Sequence, residues 1–210
     1  MNPKIWLATT NKGKVDEFKL LFAKALPGAS IHSLAELGHY YPPPENGKTF
    51  VENATIKARS LHSLKPDDWV VADDSGLEVT GLGNLPGIHS ARYAGDKASD
   101  GENLAKLLKM MQIRGIQDRS ARFVCSLVAY GPNKVDSVGK YTAEVLHFEA
   151  ELKGLIASKP SGQLGFGYDP VFIPDGQSKS MAELGPAFKN QHSHRALATL
   201  KLAAALAEKF

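Results

Sequence analysis

Trp69-Val70-Val71-Ala72-Asp73-Asp74-Ser75-Gly76 is the stretch that decides the fold. The apolar run follows the turn Pro66-Asp67-Asp68 and predicts a strand, Trp69 to Ala72, inside a sheet. Asp73 and Asp74 would then stand at its carboxyl end, where open α/β sheets collect ligands. Upstream, Thr49-Phe50-Val51-Glu52 has the capping-box form, with Glu52 reaching back to Thr49. The helix it opens runs to about Leu64, with Phe50, Ala54, Ala58 and Leu61 along one side. Further upstream, Lys4 to Ala8 predicts a strand. Val15, Phe18, Phe22 and Ala25 predict a helix that Pro27-Gly28 ends. The segment Gly38 to Lys48, with Pro42-Pro43-Pro44, is a loop.

Downstream, Leu77-Glu78-Val79 reads as a further short strand and Gly81 to Gly95 as a glycine-rich loop. Asn103 to Met111 is helical. Phe123 to Tyr130 and Tyr141 to Leu152 are long strands, with Gly131-Pro132-Asn133 turning between segments. Pro170 to Pro174 is short and extended. Arg195 to Phe210 is a terminal helix, with Leu197, Leu200 and Leu206 among its apolar positions. Strand, helix, helix, strand, then long strands and a helix predict an α/β fold with a mixed sheet. An all-β fold or a helix bundle does not fit that order.

The chain's 210 residues suit one large domain or two small lobes, without internal repeats. A formal charge of +3 is too small to imply nucleic-acid binding by charge alone. No stretch has the ~20 apolar residues that cross a bilayer, and the N-terminus has no signal-peptide pattern. A cytoplasmic location is expected, without a membrane or stable nucleic-acid partner. Cys125 is the one cysteine, so no internal disulfide forms, and its apolar setting reads as a buried thiol.

Several segments carry chemistry. Burying ionised carboxylates is unfavourable unless a cation or donors compensate them, and Asp73-Asp74 therefore points to a metal beside a phosphorylated ligand. The pair also suits a plain turn or helix cap. Ser75 can donate to a phosphate oxygen. Glu45 has no structural task legible in its loop and is the candidate second metal ligand. Oxygen-only ligation suits Mg2+. Thr9-Thr10-Asn11-Lys12-Gly13-Lys14 sits where strand passes into helix, and helix N-termini favour anions. It is not a P-loop, and an ordinary polar cap with exposed lysines fits it too. Lys57 is placed to support a phosphate.

Gly165-Phe166-Gly167-Tyr168-Asp169-Pro170 combines aromatic rings with one acid, and can stack a base and bond its edge. A β-turn with core aromatics is the plainer reading. His192-Ser193-His194-Arg195 opens the last helix. His194, Arg195 and nearby Lys189 suit donors to carbonyl or phosphate oxygens. Zinc is not expected, because no further ligands have suitable spacing.

Six segments in this order resemble the inosine triphosphate pyrophosphatase family, also called Ham1-like. They are Thr10 to Lys14, Glu52-Asn53-Ala54 with Lys57, Ala72 to Leu77, Pro86-Gly87-Ile88-His89-Ser90-Ala91-Arg92-Tyr93, Gly165 to Pro170, and Ser193-His194-Arg195. The resemblance implies one family domain over residues 1–210. It implies an elongated α/β fold with a mixed, twisted sheet flanked by helices, two lobes with the active-site cleft between them, and a homodimer. The implied activity is Mg2+-dependent hydrolysis of ITP, dITP and XTP to the monophosphate and pyrophosphate. Carried onto this chain, Thr9, Thr10, Asn11, Lys12, Gly13 and Lys14 hold phosphates. Glu45 and Asp74 bind the metal, Asp74 accepts a proton, and Asp73 gives possible metal support. Ser75 contacts substrate. Phe166, Gly167, Tyr168, Asp169, Lys189, His194 and Arg195 form the nucleotide pocket. His89 and Ala196 stand where bacterial relatives often have tyrosine and glycine.

Lys14, Lys57 and Lys189 would reduce repulsion between water and the triphosphate. Arg195, or protonated His194, would read the purine 6-carbonyl. Three other readings compete: a nucleotide-binding regulator, an RNA-binding module, and a pyrophosphatase for damaged or modified pyrimidine nucleotides. The regulator has no need of Glu45, Asp73 and Asp74 together, and an RNA-binding module calls for a more basic face.

Overall fold

The computed structural model describes residues 3–210. Seven strands form one mixed sheet in the order β2-β1-β3-β5-β6-β7, with β4 paired to β3. The strands are β1 (Lys4–Leu7), β2 (Ser30–Ser33), β3 (Trp69–Val79), β4 (Leu85–Pro86), β5 (Ser120–Val135), β6 (Tyr141–Ile156) and β7 (Phe172–Pro174). The helices are α1 (Lys12–Ala25), α2 (Phe50–His62), α3 (Asp100–Ile113), α4 (Met181–His192) and α5 (His194–Ala207). The chain makes two compact units. The first runs up to Asp74 and takes in Ser126–Glu149 and Ala198–Phe210; the second comprises Ser75–Cys125 and Ala150–Leu197.

In the first unit, β1 pairs parallel to both β2 and β3, with Leu7 beside Ser33 and Val71. Consecutive strand residues face opposite ways. Trp6, Ala8, Val70 and Ala72 fall on one side, packed with Ala54, Ala58 and Leu61 of α2. Asp74 continues that alternation toward α2, and Asp73 takes the opposite side. The apolar residues predicted for α2, Phe50, Ala54, Ala58 and Leu61, are all buried.

The second unit has its own core, built on Leu77, Val79, Leu107, Met111, Phe123, Tyr168 and Phe172. There Glu78 and Val79 pair antiparallel with β4, and β7 pairs antiparallel with β6.

The structure corrects several sequence expectations. Asp73 and Asp74 lie inside β3, not at its end, and Leu77-Glu78-Val79 belongs to the same 11-residue strand. The strand survives Ser75-Gly76 because β4 pairs with its far end and Ser90 Oγ accepts the Leu77 N–H at 2.9 Å. The Gly81–Gly95 region holds two 3-10 turns and β4 rather than plain loop. Gly131-Pro132-Asn133 is part of β5, and the Asn133 N–H bonds Pro66 O at 2.7 Å. The hairpin turns later, where Asp136 Oδ1 accepts the Val138 and Lys140 N–H groups. Leu200, one of the apolar positions of the last helix, is 47% exposed. Glu52 overshoots the N-cap: Thr49 Oγ1 accepts the Glu52 N–H at 3.2 Å, but Glu52 Oε2 accepts from Lys48 N–H at 2.6 Å.

Candidate active site

The first unit gathers a set of lysine–carboxylate pairs around β3. Asp73 Oδ2 lies 2.8 Å from Lys14 Nζ, in the first turn of α1. Asp74 Oδ1 accepts from Lys57 Nζ at 3.0 Å, and Glu45 Oε1 lies 3.3 Å from the same ammonium. Asp73 and Asp74 therefore do not act as one acidic pair. Their alternate directions along β3 send one to α1 and the other to α2.

Burial pushes the Asp74 carboxyl above the usual aspartate value; Lys57 and then Lys14 oppose this, while Glu45 adds to the rise. Burial pulls Lys57 down, but Asp74, Asp73 and Glu45 outweigh it and hold its ammonium above the ordinary value. The pairing is asymmetric. Three carboxylates secure the charge on one lysine, and the cost of burial falls on Asp74.

The loop before α1 is organised by its own side chains. Asn11 caps the helix, its Oδ1 accepting the Lys14 N–H at 3.0 Å, and Thr9 Oγ1 accepts the Asn11 N–H at 3.2 Å. Asn11 Oδ1 and Thr9 Oγ1 are thus spent as acceptors inside the loop. The first turn of α1 has no acid and carries Lys12 and Lys14. Cations there oppose the helix dipole. That arrangement is poor for an isolated helix and suits a polyanion. Thr10 and Lys12 are exposed, and Gly13 is half-buried.

The donor geometry around Lys57 bears on a divalent cation. Lys57 already draws Glu45 and Asp74 to one positive centre, so their oxygens converge. Asp73 turns to Lys14 instead and is not part of this convergence. Among the described residues no group of three or more His, Cys, Asp or Glu is placed to hold a metal. Two carboxylates are what Mg2+ uses when substrate phosphates complete its shell. The residues fit that ion.

In the second unit, Asp169 organises the aromatic turn. Its Oδ2 accepts the Phe166 N–H at 2.9 Å and lies 2.6 Å from Lys189 Nζ. Gly165 makes this possible: its φ is +85°, and a Cβ there would collide with the Asp169 carboxylate. Lys189 Nζ stands 3.9 Å from the centre of the Phe166 ring, and the Arg195 guanidinium 5.8 Å from it. Such cation–π contacts hold a ring face in register. Arg195 Nη2 donates to Ser75 Oγ at 2.9 Å. His194 stacks on Phe123, with centroids 4.8 Å apart.

Tyr168 has a different place. Its ring belongs to the core, its hydroxyl donates to Ser90 O at 2.9 Å, and burial pushes its pKa up. It serves the turn as an anchor. The Gly167 N–H donates to Asp100 Oδ2 at 2.8 Å, so it too is engaged within the unit.

Two further residues join these networks: Asn53, between Gly47 and Asp74, and Asp100, on the aromatic turn. Asn53 was detectable in principle, because it stands four residues before Lys57 on one helix face. Nothing local to Asp100 announces a partner 67 positions away.

The fold is a mixed α/β one, and it carries one lysine–carboxylate cluster around β3 and another at the aromatic turn. Residues 5–205 match the Ham1 family. The chain is 51% identical over 195 residues to a dITP/XTP pyrophosphatase of Bdellovibrio bacteriovorus, covering 93% of each chain. A dITP/XTP pyrophosphatase of Geobacillus kaustophilus is 47% identical over 199 residues, with 95% and 92% coverage. The Ham1 protein of Staphylococcus aureus has a similar structure, with TM-score 0.83 at 37% identity, over 99% of this chain and 100% of that one. The chain belongs to the Ham1 family.

Proposed function

We propose that this chain hydrolyses non-standard purine nucleoside triphosphates (ITP, dITP and XTP) to the monophosphate and pyrophosphate, cleansing the nucleotide pool. The observation that carries the reading is the convergence of Asp74 and Glu45 on one cationic centre, in a chain 51% identical over 195 residues to a dITP/XTP pyrophosphatase.

Lys14, at the head of α1, and Lys57 meet the triphosphate charge. Thr9 to Lys14 supply N–H and hydroxyl donors. Glu45 and Asp74 would hold Mg2+, which when bound neutralises phosphate charge and stabilises the leaving pyrophosphate. Asp74 accepts the proton of the attacking water. The water oxygen bonds to phosphorus at the α–β bridge, and that bridge breaks to release pyrophosphate. In the metal-free protein, burial holds the Asp74 carboxyl above the usual aspartate value. In the second unit, Phe166, held by Asp169 and Lys189, offers a ring for the purine. Arg195, beside Ser75, donates to the 6-carbonyl that hypoxanthine and xanthine share and adenine lacks.

A homodimer in the cytoplasm completes the proposal. No helix among the described residues is long and apolar enough to cross a membrane. A panel of purine and pyrimidine triphosphates with pyrophosphate detection tests the activity. Release from ITP, dITP and XTP well above ATP and the pyrimidines is expected. Equal turnover across the panel, or none, overturns the reading. Size-exclusion chromatography with light scattering tests the dimer.

A further inference from the structure

Asn53 is fully buried in α2, and both ends of its amide are engaged. Its Oδ1 accepts the Gly47 N–H at 2.9 Å; its Nδ2 donates to Asp74 Oδ2 at 3.3 Å. The two partners dictate the amide's orientation. An N–H can only meet the oxygen, and a carboxylate can only meet the NH2 group. Turning the amide over would set oxygen against oxygen in a buried site.

Gly47 lies two residues after Glu45, in the loop that leads into α2. The next amide, Lys48 N–H, is held by Glu52 Oε2 at 2.6 Å. The approach to α2 is thus tied at two successive N–H groups to side chains of the helix's first turn. The tie is tight: a Cβ on Gly47 would lie 2.7 Å from Asn53 Oδ1 and 2.8 Å from Glu52 Cβ. One turn further along α2, Lys57 faces both Glu45 and Asp74. Asn53 therefore joins the loop that carries one carboxylate to the strand residue that carries the other.

We propose that Asn53 is a positioning residue that fixes the separation of Glu45 from Asp74, and so sets the affinity of the site for a divalent cation. The proposal rests on the reading of those two carboxylates as the metal-holding groups. Groups that hydrogen-bond to metal-holding side chains restrict their direction, and losing one costs about 10–100-fold in metal affinity. Asn53 does this for Asp74 directly and for Glu45 through the Gly47 backbone.

The test uses Asn53→Leu and Gly47→Ala, the second disturbing the tie from the loop side without touching Asp74. Mn2+ is titrated into the nucleotide-free protein, alone and with pyrophosphate present, and followed by electron paramagnetic resonance. Exchange of the Gly47 amide in metal-free protein is measured by NMR. Pyrophosphate release from ITP is measured against Mg2+ concentration. Both variants should bind Mn2+ about 10–100-fold more weakly and exchange the Gly47 amide faster. Half-maximal turnover should move to higher Mg2+, while kcat at saturating Mg2+ moves far less. A purely structural asparagine would lower kcat or stability without shifting the Mg2+ requirement. Wild-type Mn2+ affinity in a folded Asn53→Leu protein overturns the proposal; should that variant not fold, wild-type affinity in Gly47→Ala does so. Failure of the unaltered protein to bind Mn2+ both alone and with pyrophosphate present would sink the metal reading itself. A wild-type protein that binds Mn2+ beside variants that bind it equally well sinks only the role of Asn53.

Discussion

Asp74→Asn separates what this carboxylate does in turnover from what it does for the fold. The side chain is almost isosteric, so packing in β3 is kept. General-base assistance is worth about 10²–10⁴-fold, or roughly 2.7–5.5 kcal/mol of barrier at 1.36 kcal/mol per decade. Pyrophosphate release from ITP should fall by at least that range. Stability should move differently. Burial raises the folded-state pKa of Asp74 above its ordinary 3.8. The stability linked to its protonation is fully present below that ordinary value and is lost as pH rises through the folded value. At neutral pH the ionised group is thus a burden on the metal-free protein, and asparagine lifts it. Lys57 keeps Glu45 at 3.3 Å as a partner. The variant should melt at or above the wild-type temperature at pH 7.5, and the difference should shrink on acidification. If Asp74 were chiefly the counter-ion of Lys57, breaking a buried pair would cost about 3–5 kcal/mol. At roughly 2–4 °C per kcal/mol for a chain of this size, that lowers Tm by roughly 6–20 °C. Thermal unfolding with chelator at two pH values, beside the turnover assay, distinguishes the two. Wild-type kcat, or a Tm drop of that size, refutes the reasoning.

Lys57→Met leaves Asp74 and Glu45 without the ammonium they share, so metal-free Tm should drop by roughly 6–20 °C on the same scale. Mg2+ should restore more of that loss than it adds to wild type; equal Mg2+ increments in melting scans would contradict this. Arg195→Ala removes the donor beside Ser75, and an unpaired buried group costs about 1–3 kcal/mol. The ITP-to-ATP ratio of kcat/KM should therefore fall about ten- to hundredfold, and an unaltered ratio counts against Arg195 as the reader of the base. Asp169→Asn weakens the anchor of both Phe166 and Lys189, so the KM for ITP should rise more than kcat falls. Steady-state kinetics with kcat lowered at constant KM would move Asp169 out of substrate binding.

Elements whose signal is local could be read from the sequence. The periods of α1 and α2 fix which faces are buried, and the cap at Thr49 sets where α2 begins. The length of β3 could not be read, because Ser75-Gly76 has the composition of a break and the partners that extend the strand, Ser90 and Pro86, lie beyond it in sequence. Helix α4 was hidden for a similar reason: Gly185, at φ +76°, and Pro186 interrupt it, although Ser180 and Glu183 form a full capping box at its start. At the candidate site, residue types pointed to side chains that the fold does bring together, Glu45 and Asp74 on Lys57 among them. Adjacency misled, since Asp73 and Asp74 look like one acidic unit until strand alternation assigns them to different lysines.

That assignment changes the reason for having both acids. Lys14 pairs with Asp73, Lys57 with Asp74 and Glu45, and Lys189 with Asp169. Each of these three lysines is thus aligned by a carboxylate from its own unit. Ordering a free lysine costs up to about 1.5–2 kcal/mol of side-chain entropy, and binding must overcome such costs before affinity appears. Here the fold has already met them. Lys14 shows the trade most directly: at the head of α1 it opposes the helix dipole, and Asp73 supplies the missing negative charge. A polyphosphate arriving at that turn brings the same kind of charge, so it meets a lysine that is already in place.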